Sequence, residues 1–462
     1  MTDRLTGPPH VLYVAWGFPP SRTGGVHRAL ATANAFAADG WRVSVLTVPR
    51  EVFRDVTGSD DALERLVDER VEVIRVPFSW PAQQTDLTAR ADWPALRVLA
   101  PRLWSTLRVR RDLAAFPEVG YGPWRHRIEQ TAVELHARTP IDLVVATTNP
   151  QVSITAGLRL DAEDDVPYVV DFRDAWTFHT YSGTRRLAGD SPAGQWEARA
   201  IRGATEVWFV NEALRRWHGQ TYPDAAAHLH VVMNGYDRDL PEPVPFADRP
   251  PEHPLTVGYL GTLTPVVPLR ELIEGWKHAV LPHSQAATAP ELDDARAVLR
   301  GYLGYYATPD PGLAALVDAA APSGMSYDGP VSKTEVDATY ATFDVLVLAL
   351  GGGEYVTSGK VFEYASTGLP IVSVLSPGNA AAEVLASYPR WHPAADLSPA
   401  AIAAALASAA RDARHPDTAA RARAAQQAAR AFRRDVQLAP RVAALRELVA
   451  TRRARTSPEV VR

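Results

Sequence analysis

Cysteine is absent from the 462 residues, which excludes disulfides, thiolate nucleophiles and cysteine-ligated metals. No apolar run reaches the roughly 20 residues that a membrane-spanning helix needs, and "MTDRLTGPPH" at the start carries no apolar leader core. The expectation is a soluble, cytoplasmic protein. Excess charge of either sign is missing too: 48 Lys and Arg stand against 53 Asp and Glu, a net −5. So weak an acidity gives no case for nucleic acid as a partner. A G-x-G-x-x-G fingerprint is lacking, which argues against a dinucleotide-dependent oxidoreductase.

What is present is ordinary globular material, 46% hydrophobic and 22% charged, in a chain too long for one core and suited to two domains. Apolar runs alternate with helical patterns: "VLYVAW" (11–16), a helix over 25–40, "RVSVLTV" (42–48), "IDLVVAT" (141–147), a helix over 151–160, "PYVVDF" (167–172) and "TEVWFV" (205–210). This order predicts an open parallel sheet with helices on both faces. A Pro-, Trp- and Arg-rich insertion interrupts it between about 78 and 128. The proline-dense "PEPVPFADRPPEHP" (241–254) reads as a linker. A second cycle follows with "LTVGYLG" (255–261), a helix over 268–277, "FDVLVLAL" (343–350) and "PIVSVL" (370–375). From about 379 to 452 the chain reads as Ala- and Arg-rich helix. The fold class expected is α/β, two tandem Rossmann-like doubly wound domains facing a central cleft, where ligands of such sheets bind. The boundaries fall at 1–240, 241–430 and 431–462, the last a helix bracing the first domain plus a basic tail.

The stretch "TSGKVFEYASTGLPIV" (357–372) is the richest in chemistry. Ser358 and Gly359 open a short helix, Gly368 closes it in a left-handed cap, and a strand starts near Pro370. Glu363 stands among apolar neighbours, as a carboxylate that must meet a ligand would. "WGFPPSRTGGVHR" (16–28) places Gly24 and Gly25 in a loop whose backbone N–H groups can face a substrate. "DFRDAWTFH" (171–179) puts Asp171, Arg173, Asp174 and His179 after a strand end. "DRD" (237–239) has the form of a metal-binding pair but follows a turn, and reads as a solvated surface; no other cluster has metal-ligand spacing. "WPALRVLAPRLWSTLRVRRDLAAF" (93–116) interleaves Leu and Trp with Arg, the composition of a helix lying on a membrane surface or forming a wall of the first domain.

These segments, in this order, resemble the GT-B fold glycosyltransferases of the large retaining group called family 4, in a subgroup with an Asp-Phe-Arg-Asp-x-Trp segment. The matching residues are the Phe-Pro-Pro loop with its Gly pair, "DLVVATTNPQVSITAGLRL", "VPYVVDFRDAWT", "VVMNGYD" (231–237), "VGYLGTL" and "SGKVFEYASTGLPIV". The resemblance implies transfer of a sugar from a nucleotide-diphosphate sugar, with no further cofactor and no metal, to a small-molecule, lipid or saccharide acceptor. It assigns Glu363 to the ribose hydroxyls, and Lys360, Ser358, Gly359, Thr357, Gly261 and Thr262 to the sugar and diphosphate. Asp174, Arg173 and His179 fall near the reacting sugar, and Gly24 and Gly25 in the cleft loop. Two departures stand out. The family's sugar-binding glutamate, eight residues before the ribose glutamate, is here Tyr355, with Glu354 one position earlier. Its diphosphate-clamping Arg and Lys are replaced by Thr262 and Val267. A pseudo-glycosyltransferase or nucleotide-sugar epimerase on the same fold, and a non-enzymatic binding protein, stay open as alternatives, as does a peripheral position at the inner face of the membrane through 93–116.

Overall fold

The structure is a computed structural model describing residues 7–80, 93–180, 182–281, 290–304, 310–332 and 335–456. The chain forms two compact units. The first takes in the described residues up to 179, 183–233 and the segment from 434 onward; the second takes in 234–433 with 180–182.

The first unit is built on a seven-stranded sheet: β1 (His10–Val14), β2 (Arg42–Thr47), β3 (Val71–Arg75), β4 (Leu143–Thr147), β5 (Tyr168–Phe172), β6 (Glu206–Phe209) and β7 (Leu229–Val231). Their order is β3-β2-β1-β4-β5-β6-β7, and every pair is parallel, with Val11 opposite Val43 on one side and Leu143 on the other. β1, β4 and β5 are buried along their whole length, as their unbroken apolar runs require of strands covered on both faces. The helix Val26–Ala38 ends at Gly40, whose φ of +81° only glycine adopts without strain. The helix Arg434–Thr456 adds Leu438, Val442, Leu445 and Val449 to the core with Phe36, Trp41 and Val43, its apolar stripe falling at helical spacing.

The second unit repeats the plan with six parallel strands: β8 (Thr256–Leu260), β9 (Arg296–Arg300), β10 (Met325–Tyr327), β11 (Val345–Leu350), β12 (Ile371–Leu375) and β13 (Trp391–Pro393), in the order β10-β9-β8-β11-β12-β13. The helices Leu269–Val280 and Pro399–Ala413 pack together on one face. Gly275 permits the approach: a Cβ there would lie 2.4 Å from the Ile402 side chain. Arg390 and Asp412, both buried, pair at 3.0 Å, with His392 a further 3.0 Å partner of the same carboxylate.

Candidate active site

In both sheets the chain leaves the first strand in one direction and returns on its other side. β8 and β11 flank that switch point in the second unit, β1 and β4 in the first. Connections diverge there and leave a crevice at the carboxyl ends of the strands, where open α/β sheets take ligands.

In the second unit the crevice is floored by the loop after β8 and walled by 351–359, which joins β11 to the helix Lys360–Thr367. Glycines bring these walls together. Gly351 touches the loop after β8 so closely that a Cβ would overlap the Val266 carbonyl, and Gly261, at φ +146°, lies under the Lys360 side chain, which a Cβ would meet at 2.1 Å. The Lys360 ammonium donates to the Tyr259 hydroxyl at 2.8 Å and to the Thr262 carbonyl at 3.3 Å, and sits 4.7 Å from the centre of the Tyr259 ring. Tyr259 in turn donates to the Thr262 carbonyl. These acceptors leave one of the three ammonium donors without a protein partner among the described residues. Loss of water lowers the Lys360 pKa from 10.5 to about 8, against a smaller upward pull from Glu363.

Glu363 lies one turn further along the same helix. Val361, Phe362, Tyr364 and Ala365 turn inward, while Glu363 is exposed, so the expectation of a carboxylate hemmed in by apolar side chains is corrected. The apolar neighbours in sequence occupy the other face of the helix. Glu363 is nevertheless held, since the buried Tyr340 hydroxyl donates to it and burial keeps that phenol protonated. Tyr364 anchors the helix from below, accepting from the Leu260 N–H at 2.8 Å and donating to the Leu260 carbonyl at 3.1 Å. Thr357 is buried, Ser358 accepts a 3.4 Å bond from the Lys360 N–H, and Gly359 is exposed, with nothing within 4 Å of an added Cβ. Glu354 is exposed in a turn of the 351–359 loop. Sequence reading missed Tyr259 and Tyr340. Tyr259 lies in an apolar run and Tyr340 in a short polar helix, and their hydroxyls meet the site only through the fold.

In the first unit Asp171 is fully buried rather than projecting to a ligand. Arg28 grips it at 2.6 Å and also donates to the Val232 and Met233 carbonyls. Arg173 and Asp174 do not pair with one another. Asp174, exposed, accepts from the Asn149 amide at 2.7 Å, with Asn149 in the left-handed region at φ +65°. The half-buried Arg173 guanidinium lies flat against Gly25, where a Cβ would be 1.9 Å from it. Gly25 thus leaves room for the Arg173 guanidinium, which a larger residue would displace, while its own backbone, with φ −80°, needs no glycine. Gly24 faces open space, and His179 is exposed, its N–H bonded to the Thr184 carbonyl. Asn149 was not singled out in sequence, although an Asn-Pro step directly after a strand signals a turn. In "DRD" all three residues are exposed, as read, and Asp239 pairs with Arg433 and Arg430.

No family model matches this chain, and no curated protein matches it. Solved structures do. A glycosyltransferase from Rickettsia africae is 11% identical with a TM-score of 0.64, over 97% of this chain and 100% of that one. HepE of Anabaena in complex with UDP is 14% identical with a TM-score of 0.60, over 95% and 100%. A Listeria monocytogenes protein described as a UDP-N-acetylglucosamine 2-epimerase is 10% identical with a TM-score of 0.54, over 96% and 97%. Likeness at this identity defines the fold: the chain is a GT-B protein of two tandem Rossmann-like domains.

Proposed function

We propose that the protein is a glycosyltransferase, resembling the retaining family 4 group, that takes a nucleotide-diphosphate sugar in its second domain and an acceptor in its first. One observation carries this reading. Lys360 and Glu363 stand on one short helix at the switch point of the second sheet, a cation and a carboxylate spaced one turn apart. The carboxylate, already accepting one phenolic hydrogen bond, has lone pairs to accept the paired hydroxyls of a ribose. The ammonium, with a donor to spare, meets the diphosphate together with backbone N–H groups of Thr262, Ser358 and Gly359, whereas the Gly261 N–H is given to the Arg300 carbonyl at 2.8 Å. Lys360 thereby compensates for the missing Arg and Lys at 262 and 267. Glu354 and Thr357 border the sugar.

Chemistry on this reading is positioning plus neutralisation of the departing diphosphate, without a metal. Arg173, Asp174 and His179, with the Gly24–Gly25 loop, orient the acceptor hydroxyl. The HepE structures, solved with UDP and with UDP-glucose, support a nucleotide-sugar donor, and the protein is proposed to act in the cytoplasm. Peripheral membrane contact through 93–116 is supported by the exposure of Leu99 (83%), Leu103 (52%) and Leu107 (47%). Among the described residues no helix is long and apolar enough to cross a membrane.

Glu363→Ala is expected to lower donor turnover tenfold or more, the scale of a lost hydrogen bond to a charged group, with the fold intact and a modest fall in melting temperature because the buried Tyr340 hydroxyl loses its acceptor. Kinetics equal to wild type would refute the assignment. A nucleotide-sugar epimerase is the second reading, favoured by the Listeria neighbour. It keeps the donor site and needs no acceptor, so product analysis with donor alone separates the two: an isomerised nucleotide sugar indicates the epimerase, and hydrolysis or no reaction the transferase.

A further inference from the structure

A second crevice lies in the first unit, on the carboxyl side of its sheet beyond the end of β3. It is formed where the helices Pro101–Ala115 and Trp124–Arg138 meet the segment after β3. Its volume is about 700 Å³, the size of a pocket for an organic molecule and far more than an inorganic ion needs. Among the described residues, three guanidinium groups, Arg108, Arg111 and Arg127, and the His126 imidazole line it, against the single carboxylate of Asp112. Phe78 and Trp124 supply an apolar wall.

The lining is constructed rather than a chance run of surface arginines. Asp112, 2% exposed, accepts from the Gly120 N–H and from Arg108, both at 3.0 Å, and so fixes the half-buried Arg108 in place. The turn that delivers Gly120 is itself dictated by sequence. Gly120 has φ +86°, and a Cβ on Gly122 would lie 2.1 Å from the Asp112 carbonyl. Among the described residues, two buried donors, the Trp124 indole N–H, in a residue 2% exposed, and Nε of Arg108, make no hydrogen bond, nor does Oδ1 of Asp112, which Arg111 approaches at 3.7 Å. Unpaired buried donors cost free energy unless a ligand accepts from them.

We propose that this pocket binds a phosphate group carried on an organic body. The guanidiniums outnumber the carboxylate by two, which matches a phosphate dianion better than a carboxylate, and arginine forks suit its geometry. The apolar wall takes the body of the molecule. The phosphate belongs either to a soluble metabolite-like compound or to a lipid headgroup delivered past Leu103 and Leu107, exposed on the same helix. This site does not depend on the donor reading of the second domain.

The test uses the full chain at low salt with two probes, glycerol 3-phosphate followed by calorimetry and phosphatidylcholine vesicles doped with phosphatidic acid followed by co-sedimentation. The pair Arg111→Gln with Arg127→Gln removes two exposed lining charges, one from each helix; the pair Arg102→Gln with Arg110→Gln removes the same charge from the helix Pro101–Ala115 outside the lining. Saturable binding of glycerol 3-phosphate, weakened at least about tenfold by the first pair and little by the second, supports the site with a soluble source. The same contrast seen with vesicles alone supports a lipid source. Binding of neither probe, or equal loss in both pairs, overturns the proposal. UDP binding, measured alongside, is expected to be unchanged in both variants, so failure here and failure of the donor site are separately visible.

Discussion

Lys360 concentrates the electrostatics of the second domain in one group. Its ammonium is held by Tyr259 and Thr262, faces Glu363 on its own helix, and is destabilised by burial so that it titrates near pH 8. The phenols around it, Tyr259, Tyr340 and Tyr364, are pushed upward by burial and stay neutral through that range. On the proposed donor reading, a dianion binds the protonated lysine. Affinity for a nucleoside diphosphate is therefore expected to be level below about pH 7.5 and to fall by up to tenfold per pH unit above about 8. Calorimetric titrations from pH 7 to 9.5 check this, and Lys360→Met should flatten the profile. Stability has the opposite slope: the unfolded lysine keeps its proton to higher pH, so the penalty of burying the cation fades as pH rises from about 8 to 10.5. The lysine and glutamate were legible because they lie three residues apart in a recognisable segment. Tyr259 was not, because it reaches Lys360 across 101 positions, and only the pairing of β8 with β11 brings them together.

At the scale of the element, the turn at 151–154 shows a half-buried acid serving structure. Glu118 accepts from the N–H groups of Gln151 and Val152, both at 3.0 Å, capping a short helix that follows β4. Burial outweighs those two bonds and lifts its pKa from 4.5 to about 7. A carboxyl raised on folding holds its proton in the native state while the unfolded chain has lost it. Its contribution is full below pH 4.5 and disappears as pH rises through 7. Wild type is thus expected to lose on the order of 2 kcal/mol more stability than Glu118→Gln between pH 5 and 8, read from urea melts at the two pH values. Parallel curves for the two proteins would contradict it. Sequence reading found the strand before this turn but ran one helix over 151–160; the first four residues are 3-10 and the α-helix continues to Asp164. Glu118 itself carried no local signal, since its partners are more than 30 residues away.

Over the whole chain, the alternation of apolar runs and helical periods was enough to anticipate two parallel sheets, because strands buried on both faces advertise themselves. The strands that went unread are those with little continuous apolar sequence. β3 is Val-Glu-Val-Ile-Arg at a sheet edge, β9 has three apolar residues between arginines, and β7, β10 and β13 are three residues each. The repeated strand order explains why each domain presents glycine-bearing loops at one switch point, Gly24 and Gly25 in the first, Gly261 and Gly351 in the second. A fold shared by transferases and a described epimerase leaves the reaction to be decided by the sites. The central claim is that the second domain binds a nucleotide diphosphate through Lys360 and Glu363. Its most direct test is a thermal-shift series with UDP, GDP, ADP and TDP on wild type and Glu363→Ala. The account predicts that at least one of them raises the wild-type melting temperature in a concentration-dependent way, with the rise largely lost in the variant. No shift with any of the four, or an equal shift in both proteins, would contradict it.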